Sequence, residues 1–227
     1  MIDKYQVILL CAGKGERMCL PLNKIFYKVN NEKTIFDYSY SLFYNDDRCE
    51  KIIVVYNKDD KGILTNVLNK YDLHKTKLVV GGSLRQESVM NGLQEITGKY
   101  VLVHDAARPN IDNELVNNVL NGLVKYDNVS LGVKVTDTIK KYDGNVTNID
   151  RNNLYYMQTP QGAKTEVLKK ALNYVNKNNI NVTDDLQAVE ILNCYSIGIV
   201  EGRKTNIKVT TIDDIDLIKF YLEKKDV

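Results

Sequence analysis

The chain has 227 residues, 44% of them hydrophobic, which is enough for one sizeable core and predicts a single α/β domain over residues 1–227. Its 31 Lys and Arg against 29 Asp and Glu leave a formal charge of +2, so no overall field gathers nucleic acid or an anionic membrane, and any charged work is local. Cys11, Cys19, Cys49 and Cys194 show neither C-x-x-C spacing nor a histidine at metal-ligand distance, and the apolar run Val7 to Cys11 is too short for a signal peptide or membrane span; the expectation is a cytoplasmic protein in a reducing compartment.

Short apolar runs alternate with helical patterns. The expected strands are Val7 to Cys11, Lys51 to Tyr56, Lys77 to Val80, Tyr100 to His104 and Val129 to Val135. Between them, apolar residues recur at three- and four-residue spacing in Thr34 to Tyr44, Lys61 to Tyr71, Leu84 to Ile96 and Glu114 to Tyr126. Such alternation implies a mostly parallel sheet with helices on both faces, a three-layer α/β/α sandwich. After Val135 the pattern breaks. Residues 137–153 read as two polar strands, Thr138 to Lys141 and Val146 to Ile149, joined by Asp143-Gly144. A lone two-stranded arm is marginal in water, so it is expected to pack on something, a partner subunit being a reasonable candidate. The alternation resumes with strand Leu154 to Gln158, helices Lys164 to Asn176 and Asp185 to Leu192, strand Ile197 to Glu201 and helix Asp213 to Lys224.

The first strand runs into Ala12-Gly13-Lys14-Gly15-Glu16-Arg17-Met18, followed by Pro21 and Lys24. A glycine loop at the carboxyl end of a parallel strand offers backbone N–H groups to phosphate. The P-loop pattern fails because Gly13-Lys14 is followed by Gly15, and the dinucleotide fingerprint lacks its third glycine, where Met18 stands. That weakens a dinucleotide oxidoreductase. Lys14, Arg17 and Lys24 give this short segment more positive charge than a resting pyrophosphate site needs. The bland alternative is a solvated loop that happens to be basic.

Gly81-Gly82-Ser83-Leu84-Arg85-Gln86-Glu87-Ser88 opens the next candidate site. Ser83 and Gln86 have capping-box spacing, and the tandem glycines permit close approach of a planar ligand. In Val103-His104-Asp105-Ala106-Ala107-Arg108-Pro109, His104 reads as a hydrogen-bonded structural histidine. Asp105 is a hard carboxylate suited to Mg²⁺, and the small alanines beside it leave room for substrate. Thr183-Asp184-Asp185 reads equally well as a helix cap or a ligand contact, and Thr211 with Asp214 reads as a capped, solvated helix start.

These segments, with Asp137-Thr138-Ile139-Lys140, Asp150-Arg151-Asn152, Gln158-Thr159-Pro160-Gln161, Glu201-Gly202-Arg203 and Asn206-Ile207-Lys208-Val209-Thr210, resemble in order the methylerythritol phosphate cytidylyltransferases of the non-mevalonate isoprenoid pathway. The resemblance covers nearly the whole chain. Ribitol phosphate cytidylyltransferases share several of these motifs but typically have Val where Ala107 stands. The resemblance implies a Rossmann-like nucleotidyltransferase fold with a protruding β-arm at about 137–153, and a transferase joining CTP to 2-C-methyl-D-erythritol 4-phosphate with release of pyrophosphate. A ribitol-5-phosphate enzyme and a non-catalytic nucleotide-binding module are the alternatives.

It further implies that Arg17 and Lys24 stabilise the transition state. Ala12, Gly13, Lys14, Gly15, Gly82, Ser88, Asp105 and Ala106 would contact CTP. Asp105, Arg108, Thr138, Arg151, Thr159, Thr183 and Lys208 would bind the acceptor, with Arg151 and Lys208 also catalytic. Asp105 would hold Mg²⁺ or another divalent cation. A homodimer is implied through the arm, which carries Arg151 and Thr138 into the partner's site. Three positions depart from the pattern: Cys19 replaces a glycine, Asn23-Lys24-Ile25 replaces Pro-Lys-Gln, and Thr205 replaces a common acidic residue.

Overall fold

The computed structural model describes residues 2–13 and 23–224. The strands are β1 (Tyr5–Leu10), β2 (Cys49–Tyr56), β3 (Thr76–Val80), β4 (Tyr100–Asp105), β5 (Asn128–Lys134), β6 (Ile139–Tyr142), β7 (Val146–Ile149), β8 (Tyr155–Lys164) and β9 (Ile197–Glu201). The helices are α1 (Ile35–Tyr44), α2 (Lys61–Leu68), α3 (Arg85–Leu93), α4 (Asn113–Leu123), α5 (Thr165–Lys177), α6 (Asp185–Leu192) and α7 (Asp213–Glu223).

Seven strands form one sheet in the order β3-β2-β1-β4-β8-β5-β9. All pairs are parallel except those of β8, which runs antiparallel to both β4 and β5. Side chains alternate across this sheet. Val7, Leu9, Ile52 and Val54 pack with Phe36, Tyr40, Leu64 and Val116 from α1, α2 and α4. Ile8, Ile53, Val101 and Val103 pack with Val89, Leu168, Leu172 and Val189 from α3, α5 and α6. Each such side chain, fully buried, contributes ~1.5–3 kcal/mol of transfer free energy. The expected three layers are present.

Local chemistry sets the helix starts. Thr34 and Asp37 form a reciprocal capping box at α1, with Thr34 N donating to Asp37 Oδ2 at 2.7 Å. Asp184 caps α6 by accepting from Gln187 N at 2.8 Å, so the capping role of Thr183-Asp184-Asp185 is real. Asp214 accepts from Thr211 N at the start of α7, as its spacing predicts. The Ser83–Gln86 box does not form. Glu87 takes that place, accepting from Ser83 N and Leu84 N, while Gln86 is buried and holds Ile180 O and Val182 N.

The largest departure from the sequence expectation is β8, expected to end at Gln158 with a helix from Lys164. It continues to Lys164 because Thr159 and Pro160 form an irregularity: Ser130 pairs with Gln161 but Leu131 pairs with Gln158, leaving two residues of β8 without partners on β5. A proline inside a central strand is tolerated at such a bulge, and the bulge re-aims its neighbours. The arm forms as expected, with β6 and β7 antiparallel as a separate two-stranded sheet and Gly144 at φ +94° in the turn. Tyr142 and Val146 on it are 77% and 66% exposed, so the arm buries little against its own chain.

Candidate active site

The carboxyl ends of β1, β2, β3 and β4 lie together. Cys11 N donates to Val55 O, Gly81 N to Tyr56 O and Ala106 N to Leu10 O, which fixes the loops leaving those strands. Lys24 opens a short 3₁₀ turn, Lys24–Phe26, beside them. Its neighbour Asn23 sits within hydrogen-bond distance of Cys11 O, Gly13 O and Asp60 Oδ2 through Nδ2, tying the Lys24 segment to the end of β1. Asn23 thus has a structural task at a position where the sequence departs from the pattern it otherwise resembles. Lys14, Gly15 and Arg17, and the Cys19 departure, lie outside the described residues.

A cavity of about 270 Å³ opens at the end of β4, lined by Arg85, Asp105, Arg108, Met157, Gln158, Thr159, Gln161, Thr183, Asp184 and Lys208. Asp105 is its centre of charge. Lys208 Nζ lies 2.7 Å from Asp105 Oδ2 and Arg85 Nε lies 3.7 Å from Oδ1. Burial opposes ionisation of Asp105, but Arg85, Lys208 and Arg108 outweigh it and hold the carboxyl well below the usual range. Arg85 also pairs with buried Asp185 at 2.9 Å. Burial raises the Asp185 carboxyl despite that partner, and its Oδ1 has no hydrogen bond. Arg108 donates to Asn206 O at 2.8 Å and to Met157 O at 3.4 Å, leaving Nε unpartnered.

His104 is fully buried beside this cavity, and burial pushes its imidazole down to about 4, so it is neutral near pH 7. Its Nε2 faces Arg108 O at 3.2 Å and its Nδ1 faces Thr159 Oγ1 at 3.1 Å. Thr159 Oγ1 also accepts from Asp105 N at 3.1 Å. The structural reading of this histidine holds.

A divalent cation carried in by phosphates would meet Asp105, whose oxygens face Lys208 and Arg85 in this structure. Asp105 is a hard carboxylate on the cavity wall, and among the described residues no three His, Cys, Asp or Glu side chains converge. Magnesium typically takes one or two protein carboxylates and completes its shell with phosphate oxygens and water.

The profile of the family described as IspD, 2-C-methyl-D-erythritol 4-phosphate cytidylyltransferase, matches residues 5–224. The chain belongs to this family. The 2-C-methyl-D-erythritol 4-phosphate cytidylyltransferase of Bacillus mycoides (strain KBAB4) is 36% identical over 222 residues, covering 96% of this chain and 97% of the relative. That of Clostridioides difficile (strain 630) is 36% identical over 229 residues, covering 98% and 96%. Among solved structures, 4-diphosphocytidyl-2C-methyl-D-erythritol synthase from Anaerococcus prevotii DSM 20548 superposes with a TM-score of 0.85 at 28% identity, covering 97% of this chain and 99% of the other. The 2-C-methyl-D-erythritol 4-phosphate cytidylyltransferase of Francisella tularensis gives 0.82 at 31%, covering 96% and 99%.

Within this cytidylyltransferase fold, the cavity brings together Asp105, Arg108, Thr159, Thr183 and Lys208, all singled out by sequence. Thr138 and Arg151 do not line it. Thr138 is exposed just before β6, and Arg151 lies on the arm, donating to Thr136 O. Two local readings need correction. The tandem glycines do not merely leave space for a ligand: a Cβ on Gly81 would stand 2.6 Å from Ala12 Cβ, and one on Gly82 would stand 2.4 Å from Glu87 Cβ. Ser88 closes this turn by accepting from Gly82 N and donating to Leu84 O. The alanines likewise do not open room for substrate, since Ala106 and Ala107 are 0% and 6% exposed in the core. Ala106 N and O are already bonded, to Leu10 O and Ser39 Oγ.

Sequence reasoning missed Arg85 as a cavity residue, although it lies inside the Gly-Gly motif. It also passed over Gln158 and Gln161 as cavity walls, whereas Asp184 lies in the segment read as either a helix cap or a ligand contact. Gln161 Nε2 donates to Asp184 Oδ2 and Ser130 Oγ, and Gln161 Oε1 accepts from Asp185 N, so this glutamine joins β8 to the start of α6. Their positions in short polar motifs were visible; their convergence was not.

Proposed function

We propose that this chain transfers the cytidylyl group of CTP to 2-C-methyl-D-erythritol 4-phosphate, giving 4-diphosphocytidyl-2-C-methyl-D-erythritol and pyrophosphate. The observation that carries this reading is the convergence of Asp105, Arg108 and Lys208 on one cavity in a chain matched by this family from residue 5 to residue 224. An oxygen of the acceptor phosphate attacks the α-phosphorus in line. The bond from that phosphorus to the bridging oxygen breaks, and pyrophosphate leaves with the electron pair. The nucleophile is already ionised at neutral pH, so no side chain needs to remove a proton. The barrier is the approach of two anions, which positioned cations reduce.

Lys14, Arg17 and Lys24, together with backbone amides of Ala12 to Gly15, stabilise the triphosphate and its transition state. Gly82 and Ser88 set the backbone that meets the cytidine. Lys208 and Arg108 hold the acceptor, with Thr159 and Thr183 on the same wall, and Asp105 pairs with Lys208 and lies close enough to Arg108 to offset its charge. Mg²⁺, when bound with the nucleotide, neutralises phosphate charge as a Lewis acid, and Asp105 is the residue that would hold it. The exposed arm supports a homodimer in which Arg151 and Thr138 serve the partner's cavity. Among the described residues no helix is long and apolar enough to cross a membrane, and the free thiols of Cys11, Cys49 and Cys194 fit action in the cytoplasm.

The test is pyrophosphate release from CTP with methylerythritol phosphate or ribitol 5-phosphate as acceptor. Turnover with methylerythritol phosphate is expected. Turnover with ribitol 5-phosphate alone overturns the acceptor, and CTP binding without turnover on either leaves a nucleotide-binding module.

A further inference from the structure

His104 has no exposed surface and does not line the cavity, yet it touches both ends of the turn that does. That turn runs from Asp105 to Arg108 and is closed by Arg108 N donating to Asp105 O at 2.9 Å. At one end, His104 Nε2 faces Arg108 O, which can only accept. Nε2 therefore carries a proton. At the other end Nδ1 faces the Thr159 hydroxyl, which is already accepting from Asp105 N. The ring is fully buried and neither nitrogen faces a carboxylate, so with the proton at Nε2 the Nδ1 is an acceptor and the Thr159 hydroxyl proton points to it.

We propose that His104 is a positioning residue that, protonated at Nε2, staples the Asp105–Arg108 turn by bonding Arg108 O directly and Asp105 N through the Thr159 hydroxyl. The bonds have one consistent direction: Asp105 N–H to Thr159 Oγ1, Thr159 O–H to His104 Nδ1, and His104 Nε2–H to Arg108 O. Phe43 packs edge-on against the imidazole with ring centroids 5.5 Å apart, which limits its rotation. Two cavity residues, Asp105 and Arg108, are thereby held by one side chain that meets no ligand. The bulge at Thr159 and Pro160 is what brings the hydroxyl to this point from β8. Thr159 is left with a lone pair, and no proton, to offer the cavity.

The consequence for activity rests on the proposed cytidylyl transfer, but the hydrogen-bond direction does not, so the two can fail separately. The chain has two histidines, His74 and His104, and His74 is exposed, so ¹⁵N-imidazole spectra are readily assigned with a His74→Gln control. The expected spectrum of the full chain at neutral pH has His104 protonated at Nε2 only, with the Nδ1 resonance moving in Thr159→Val as its hydrogen bond is lost. Protonation at Nδ1, at both nitrogens, or a Nδ1 resonance unmoved in Thr159→Val overturns the proposal.

In kinetics, His104→Phe is expected to lower kcat/KM for the acceptor by ~10-fold or more. The KM for CTP is expected to change little. His104→Asn, whose Oδ1 can reach the place of Nδ1, and His104→Gln, whose amide can reach the place of Nε2, should each recover part of the loss. A folded Phe variant with unchanged acceptor kcat/KM, or no difference among the three variants, overturns the positioning role. If His104→Phe does not fold, the imidazole spectra of the full chain and of Thr159→Val decide. If no acceptor turns over at all, the functional reading fails while the spectra still test the staple.

Discussion

Lys208 Nζ donates to Asp105 Oδ2 at 2.7 Å across 103 residues of sequence. The pair joins the loop after β9 to the end of β4, and Val209 N fastens the same loop by donating to Ala107 O. Lys208 is thus a cation held in place by a carboxylate on the cavity wall, and Asp105 is the counter-charge that makes its partial burial tolerable.

Lys208→Ala and Asp105→Asn are each expected to lower kcat/KM by ~10²-fold or more. Because the two side chains touch, the double variant should lose less than the product of the single losses. Steady-state kinetics on the three variants measures this. Losses that multiply fully would show two independent contributions.

Arg17→Ala and Lys24→Ala are expected to lower kcat by ~10²-fold or more, with little change in thermal stability, if each supplies the transition-state charge proposed for it. Single-turnover rates with saturating CTP test this directly. Unchanged rates in both variants would refute catalysis by charge stabilisation from the first loop.

If the proposed dimer shares its sites, Arg151→Ala and Lys24→Ala subunits, each inactive alone, are expected to regain activity when mixed, because a mixed dimer would contain one site with both wild-type residues. The readout is pyrophosphate release after subunit exchange, with heterodimer formation verified by differential tagging. Verified heterodimers that stay inactive would place Arg151 outside the partner's site.

Asp127 accepts from Lys164 Nζ at 2.6 Å and from Ser196 N and Oγ, and these bonds pull its carboxyl down to about 2 from the ordinary 3.8. The folded value lies below the unfolded one, so this stabilisation is complete above the unfolded value and is lost as pH falls towards the folded one. The groups are largely solvated, so the effect is at most ~1 kcal/mol. Asp127→Asn is expected to lower the urea midpoint near neutral pH, with the difference from wild type narrowing from about pH 5 to about pH 3. A difference independent of pH would mean that the charge of Asp127 contributes nothing.

The alternation of strand and helix was legible because it depends on neighbours: Val7, Ile8 and Leu9 read as a buried strand by composition alone, and the Asp143-Gly144 turn declared the arm. Legible too were residues that meet in the cavity, Asp105 from its own motif and Arg108 and Lys208 through the family resemblance. What the sequence alone determined is the layered α/β architecture and the inventory of charges at loop ends, because periodicity and turn chemistry are local properties. Only the tertiary structure decided that β8 runs antiparallel between β4 and β5, since Pro160 and Gly162 mask a strand whose partners lie far away in sequence. Only it decided that Arg85 joins Asp105 and Asp185, that Ala106 is core, and that His104 faces both Thr159 and Arg108. Those relationships depend on sheet order and on one bulge, and a central strand inserted from late in the chain brings together side chains that no local pattern relates.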